Sequence, residues 1–178
     1  MAFSATRRLF SQALNRAIVY SENGNPSQVL RVLKYPSLAP PAPNTVNVRF
    51  VLAPINPADL NVIEGVYPAK PRADDTLQGG SRDGYPVFVG GNEGLARVTA
   101  VGDGVEGLKR DDWVVMTRPQ MGTWCTAKNV AIDEVVRVPR VDGLSAVNAA
   151  TITVCSVFSP PPHDRWGNPH TPVPPYGR

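Results

Sequence analysis

Tyr67 sits in Gly65-Val66-Tyr67-Pro68, a short loop that a glycine opens and a proline closes. It follows directly on Ile55-Asn56-Pro57-Ala58-Asp59-Leu60-Asn61-Val62-Ile63-Glu64. A phenol held in a loop can hand a proton to carbon, or hold an oxygen that gains negative charge. By residue type alone the same tyrosine reads first as an amphipathic loop anchor. Asn56, Asp59 and Asn61 are read as stabilisers of the surrounding turn rather than as catalytic groups. Cys125 and Cys155 are the two thiols. Without a short spacing they form neither a disulfide framework nor a metal knuckle, and they read as reduced thiols. His163 and His170 lack further ligands nearby in sequence, so no metal site is expected of them. Gly102-Asp103-Gly104-Val105-Glu106-Gly107 spells G-x-G-x-x-G. A phosphate-binding turn needs a helix behind it, and here Leu108 to Val115 runs into another strand. Asp103 and Glu106 would also repel a pyrophosphate. The stretch is read as a β-turn.

The elements that must position these groups are mostly strands. Ala17–Tyr20 opens the fold as a β run, and Val29–Lys34 alternates as a strand. Asn23-Gly24 and Asn25-Pro26 between them are turn chemistry. Residues 36–44 are proline-laden and read as loop. Val46, Val48 and Phe50 point one way and Asn47 and Arg49 the other, the pattern of a half-buried strand. Asp59–Ile63 is expected to form one or two helical turns, started by the fixed φ of Pro57. Residues 68–84 read as a long surface loop. Tyr85–Val89, Leu95–Val101, Trp113–Thr117, Gly122–Ala131 and Val135–Pro139 continue the β series. Ser145 is a good cap for a helix over Ala146–Ile152. Many short strands between glycine and proline turns predict a mainly β barrel or sandwich.

The chain has 178 residues, with 18 Lys and Arg against 15 Asp and Glu. Arg7, Arg8 and Arg16 lie in an acid-free stretch over 1–16, so the remainder balances at 15 against 15. A folded part so close to neutral carries no basic footprint for nucleic acid. No apolar run approaches the roughly 18 residues of a membrane-spanning helix. Residues 1–16 combine Arg, Ser, Ala and Leu in an amphipathic pattern, as a mitochondrial transit peptide does. They are expected to lie outside the fold, and the protein to reside in the mitochondrial matrix. Residues 155–178 hold seven prolines in 24 positions. That tail is expected to be disordered or polyproline-like.

Ile55 to Pro68 closely resembles the segment that carries the proton-donating tyrosine in mitochondrial 2-enoyl thioester reductases of the medium-chain dehydrogenase/reductase superfamily. Val89-Gly90-Gly91-Asn92-Glu93-Gly94-Leu95-Ala96-Arg97-Val98-Thr99-Ala100-Val101-Gly102 looks like the strand–turn–strand of their catalytic domain. Leu108-Lys109-Arg110-Asp111-Asp112-Trp113-Val114-Val115 is similar to their turn into a buried strand, with Asp111 where a glycine is usual. Gly122-Thr123-Trp124 and Leu144 to Val154 extend the likeness. It covers 17–154 and implies a GroES-like β-barrel, the catalytic domain of that superfamily. It also implies Tyr67 as proton donor, NADPH as reductant and an enoyl-ACP or enoyl-CoA substrate of fatty acid synthesis. Zinc members of the superfamily have a histidine where Asn92 stands, so no metal is expected.

The resemblance stops at Val154. Cys155 stands where the family has a cofactor-touching asparagine, and a Rossmann domain should follow. The chain therefore reads as an incomplete catalytic domain that binds no NADPH by itself, is inactive alone and does not form the family's homodimer. Two other readings stand beside it: a zinc-free quinone-reductase-type member, and a non-enzymatic barrel whose proline tail serves as an adaptor.

Overall fold

A computed structural model of the chain describes residues 14–67, 71–80 and 85–153. In chain order its elements are β1 (Asn15–Tyr20), α1 (Pro26–Val29), β2 (Arg31–Tyr35), β3 (Thr45–Leu52), α2 (Pro57–Glu64), β4 (Phe88–Val89), β5 (Leu95–Val101), β6 (Trp113–Met116), β7 (Ala127–Ala131), β8 (Val135–Val138) and α3 (Ala146–Ala150). A 3-10 turn spans Asp75–Gly80 and another Ile132–Glu134.

Alternation of apolar residues sets the layers. One sheet runs β2-β1-β4 and the other β7-β3-β5-β6-β8, with antiparallel pairing between neighbours. Residues 124–126 join them. Ile18 N donates to Trp124 O at 2.9 Å and Thr126 N to Arg16 O at 2.8 Å, while Phe50 N donates to Thr126 O at 3.2 Å. The same short segment thus pairs with β1 on one side and β3 on the other. The curved layer closes over Val46, Val48, Ala96, Val98, Val114, Met116 and Val130. Each such valine stabilises the fold by about 1.5–3 kcal/mol on burial. Val19, Tyr35, Leu77, Val87 and Val89 form a second cluster. Leu95, Val115 and Val138 form a third, against Ala149 and Ala150 of α3.

Several expectations need correction. β1 begins at Asn15, so Asn15 and Arg16, the last two residues of the stretch expected to lie outside the fold, pair within it. Their partners are Tyr35 and Lys34 of β2, and Asn15 Nδ2 also donates to Pro36 O at 2.9 Å. Residues 1–13 lie outside the described residues, as do Cys155, His163, His170 and the rest of the proline-rich tail. The strand expected from Val29 starts at Arg31, because Asn25 caps the turn of α1 through Ser27 N. The surface loop expected over 68–84 contains the 3-10 turn, which buries Leu77. Asn47 is buried, although alternation assigned it to the solvent face. Its amide donates to Ala39 O at 2.7 Å, so the proline-rich loop covers that face.

Two turns match their reading. Gly102 to Gly107 leads into β6 through turns, with Gly104 and Gly107 at positive φ and Asn44 N donating to Asp103 O. Asp111 adopts φ +72°, the left-handed region that glycine prefers. Its carboxylate meets Arg97 at 3.2 Å, and Arg140 Nη2 donates to its carbonyl at 3.0 Å.

Candidate active site

The loop bearing Tyr67 is the C-terminal cap of α2, and α2 is fastened at both ends. Pro57 occupies the first helical turn, where its missing N–H costs nothing. Asn56 N donates to Asp59 Oδ2 at 2.7 Å, which satisfies an otherwise orphaned donor at the helix start. Asp59 Oδ1 accepts from Asn92 N at 2.8 Å. One buried carboxylate therefore holds both the helix start and the turn between β4 and β5. Burial raises the Asp59 pKa; the two backbone N–H bonds lower it and the nearby Glu93 raises it.

The helix stops at Gly65, whose φ of +81° is left-handed. Val66 N and Tyr67 N then both donate to Asn61 O, at 3.0 and 3.2 Å. This reversal fixes the Tyr67 backbone and leaves its side chain 40% exposed. The end of α2 is clasped from outside by Asn23, whose Nδ2 donates to Val62 O at 3.1 Å and Ile63 O at 3.0 Å. Gly24 N adds a bond to Ile63 O at 3.1 Å. A Cβ at Gly65 would lie 2.9 Å from Asn23 Cγ, so the glycine serves both the reversal and the close approach.

Behind α2 lies a polar network in an apolar setting. Glu93 is 2% exposed. Its Oε1 accepts from Asn56 Nδ2 at 2.9 Å and its Oε2 from Thr153 Oγ1 at 3.0 Å. Its carbonyl accepts from the fully buried Thr123 Oγ1 at 2.7 Å. Asn92 Oδ1 accepts from Gln120 N at 3.0 Å, so the Asn92 side-chain amide is engaged as a structural acceptor. Among the described residues, no three His, Cys, Asp or Glu side chains gather as metal ligands. On the other flank is an apolar groove of about 580 Å³, lined by Leu30, Phe50, Leu52, Ile55, Leu60 and Trp124 among others. Tyr67 does not line it.

Of the three expected turn stabilisers, Asn56 and Asp59 act through their side chains and Asn61 through its main-chain carbonyl. The sequence reading missed Asn23, read only as turn chemistry, and it missed Glu93 and Thr153. A carboxylate inside the glycine-rich run Val89 to Leu95, between two strands, is the available signal for Glu93. Nothing local singled out Asn23 or Thr153, whose partners lie about 40 and 60 residues away.

A small mainly β barrel with a helix behind its third strand and a glycine-turned β4–β5 connection defines a catalytic domain of the GroES-like class. The family described as alcohol dehydrogenase GroES-like domain matches residues 42–154. The chain belongs to that family. It is 38% identical over 153 residues to the Xenopus tropicalis protein named mitochondrial enoyl-[acyl-carrier-protein] reductase, covering 85% of this chain and 39% of that one. The human protein of the same name is 36% identical over 143 residues, covering 80% and 35%. The chain thus spans about two fifths or less of the length of these relatives. Among solved structures, the Etr1p/NADP/crotonyl-CoA complex matches with a TM-score of 0.73 and 33% identity, over 79% of this chain and 40% of that one. A putative NADPH:quinone reductase from Bacillus thuringiensis matches with a TM-score of 0.63 and 28% identity, over 81% and 38%.

Proposed function

We propose that this chain is the catalytic-domain portion of a mitochondrial NADPH-dependent 2-enoyl thioester reductase, with Tyr67 as its proton donor. The observation that carries the reading is the Tyr67 loop itself: a part-exposed phenol on a backbone locked by Gly65, Asn61 and Asn23. The likeness to the complex of Etr1p with NADP and crotonyl-CoA supports it, and the names of the relatives support the mitochondrial location.

Reduction of an enoyl thioester adds hydride to the β-carbon and a proton to the α-carbon. Negative charge develops at the α-carbon and thioester oxygen in between. A phenol fixed beside them donates its proton or a hydrogen bond as that charge forms, and costs no reorganisation then. Exposure of Tyr67 lets water return the proton afterwards. The apolar groove shares Ile55 and Leu60 with the same segment and offers the kind of surface an acyl chain takes up. NADPH is the hydride source in this reading, and the G-x-G-x-x-G stretch is not read as its site. The single G-x-G-x-x-G stretch is a turn between strands, with two acids where phosphates would sit. No residue of this chain is assigned to it, and the chain by itself should not oxidise NADPH in the presence of crotonyl thioester.

The test is a chimera that joins residues 1–154 to the nucleotide-binding part of Etr1p. It should reduce crotonyl-CoA, and Tyr67→Phe should lower kcat by about 10²–10⁴-fold, the usual worth of a positioned acid. An active chimera whose turnover is the same with phenylalanine at position 67 rejects the proton-donor role. A chimera that prefers quinones to enoyl thioesters rejects the substrate class.

A further inference from the structure

We propose that Glu93 is a positioning residue: a buried tie that couples the chain just beyond α3 to α2, and through α2 to the Tyr67 loop. The catalytic meaning of the tie rests on the function proposed above. The tie itself stands on geometry.

Three segments distant in sequence meet at one side chain. The two carboxylate oxygens are divided, Oε1 to Asn56 at the start of α2 and Oε2 to Thr153 beyond α3. A carboxylate withdrawn from water is costly, and an apolar side chain would fill the same space without that cost. What an apolar side chain cannot supply is two acceptors aimed at two separate elements. The Glu93 backbone is itself held by Thr123 Oγ1, and its neighbour Asn92 is bonded to Asp59. The start of α2 is therefore attached to the β4–β5 turn at two points, Asp59 and Asn56. An eight-residue helix is two turns long and moves as a rigid piece, so fixing its start fixes its end. Tyr67 follows that end by three residues, on N–H groups bonded to Asn61 O of the helix. On the other side, α3 packs through Ala149 and Ala150 on Leu95, which begins the strand after Glu93. A displacement of the chain at Thr153 thus acts on the Tyr67 loop without crossing the barrel core.

Hydrogen exchange on the full 178-residue chain tests this without any catalytic readout, so its failure is distinct from failure of the reductase reading. Thr153→Val removes the hydroxyl at constant volume. It should speed exchange at the Val66 and Tyr67 amides by up to about tenfold, the worth of one lost hydrogen bond, and leave the Val48 and Val98 amides of the barrel unchanged. Thr153→Ser keeps the hydroxyl and should exchange like the parent. Glu93→Gln should also stay near the parent, because its carbonyl can still accept from Asn56 and its amide can donate to the Thr153 hydroxyl. In a Glu93→Ala background, Thr153→Val should add less at Val66 and Tyr67 than it does in the parent. Unchanged exchange at Val66 and Tyr67 in Thr153→Val overturns the proposal. So does an equal acceleration at Val48 and Val98, which would mean the bond contributes only to global stability.

Discussion

Gly65→Ala should destabilise the protein by about 2–4 kcal/mol and loosen the Tyr67 loop in particular. Two costs combine. A residue with a Cβ at φ +81° has a strain of about 1–2 kcal/mol. The new Cβ would also stand 2.9 Å from Asn23 Cγ and 3.0 Å from its Cβ, inside contact distance. Asn23 must move, and its two bonds to Val62 O and Ile63 O are weakened or lost, each worth about 0.5–1 kcal/mol here. Urea unfolding followed by tryptophan fluorescence reads the sum as a midpoint shift of about 1–2 M at ordinary slopes. A double-mutant cycle separates the parts. With Asn23→Ala in place there is no side chain to displace, so adding Gly65→Ala should cost only the backbone strain. The two substitutions should fall short of additivity by about 1–2 kcal/mol. An equal cost of Gly65→Ala in both backgrounds would refute the clasp, and a cost below about 0.5 kcal/mol would refute the strain as well.

Asp59 carries a pH signature. Burial raises its pKa, so the folded protein binds that proton more readily than the unfolded chain. The ionised carboxylate then lowers stability at pH above the raised folded value, and the penalty is removed as pH falls through that value towards about 4, the unfolded pKa. The stability difference between the parent and Asp59→Asn should therefore shift in favour of the parent as pH falls through this window; a pH-independent difference in thermal melts would contradict the assignment. Cys125 should be a sluggish thiol. Burial pushes its pKa up to about 11, with Asp74 raising and Lys128 lowering it. At pH 8 about one molecule in 10³ would be thiolate, against about a quarter for a free thiol. In a Cys155→Ser background, labelling with a disulfide reagent should be at least about 10²-fold slower in native buffer than in denaturant. Comparable rates in the two would show an accessible thiolate.

The strands and the Tyr67 motif were legible because their signals are local. Alternation at period two marks β3 and β5 wherever one face meets the core. Pro57 and Gly65 announce the bounds of α2, since one fixes φ and the other permits its reversal. Ser145 announces α3, and its hydroxyl accepts from Asn148 N at 3.1 Å. Other features had no local trace. Asn47 broke the alternation because a proline-rich loop lies over it, and no feature of β3 reports that loop. The start of β1 at Asn15 depends on partners in β2 and on Thr126, which a composition argument about arginine and serine cannot see. Local signals along the chain specify the strand series, the helix that Gly65 ends and the phenol that follows it. Tertiary structure alone decided what holds that phenol's loop, because Asn23, Glu93 and Thr153 reach α2 through hydrogen bonds whose partners become neighbours only once the barrel has closed.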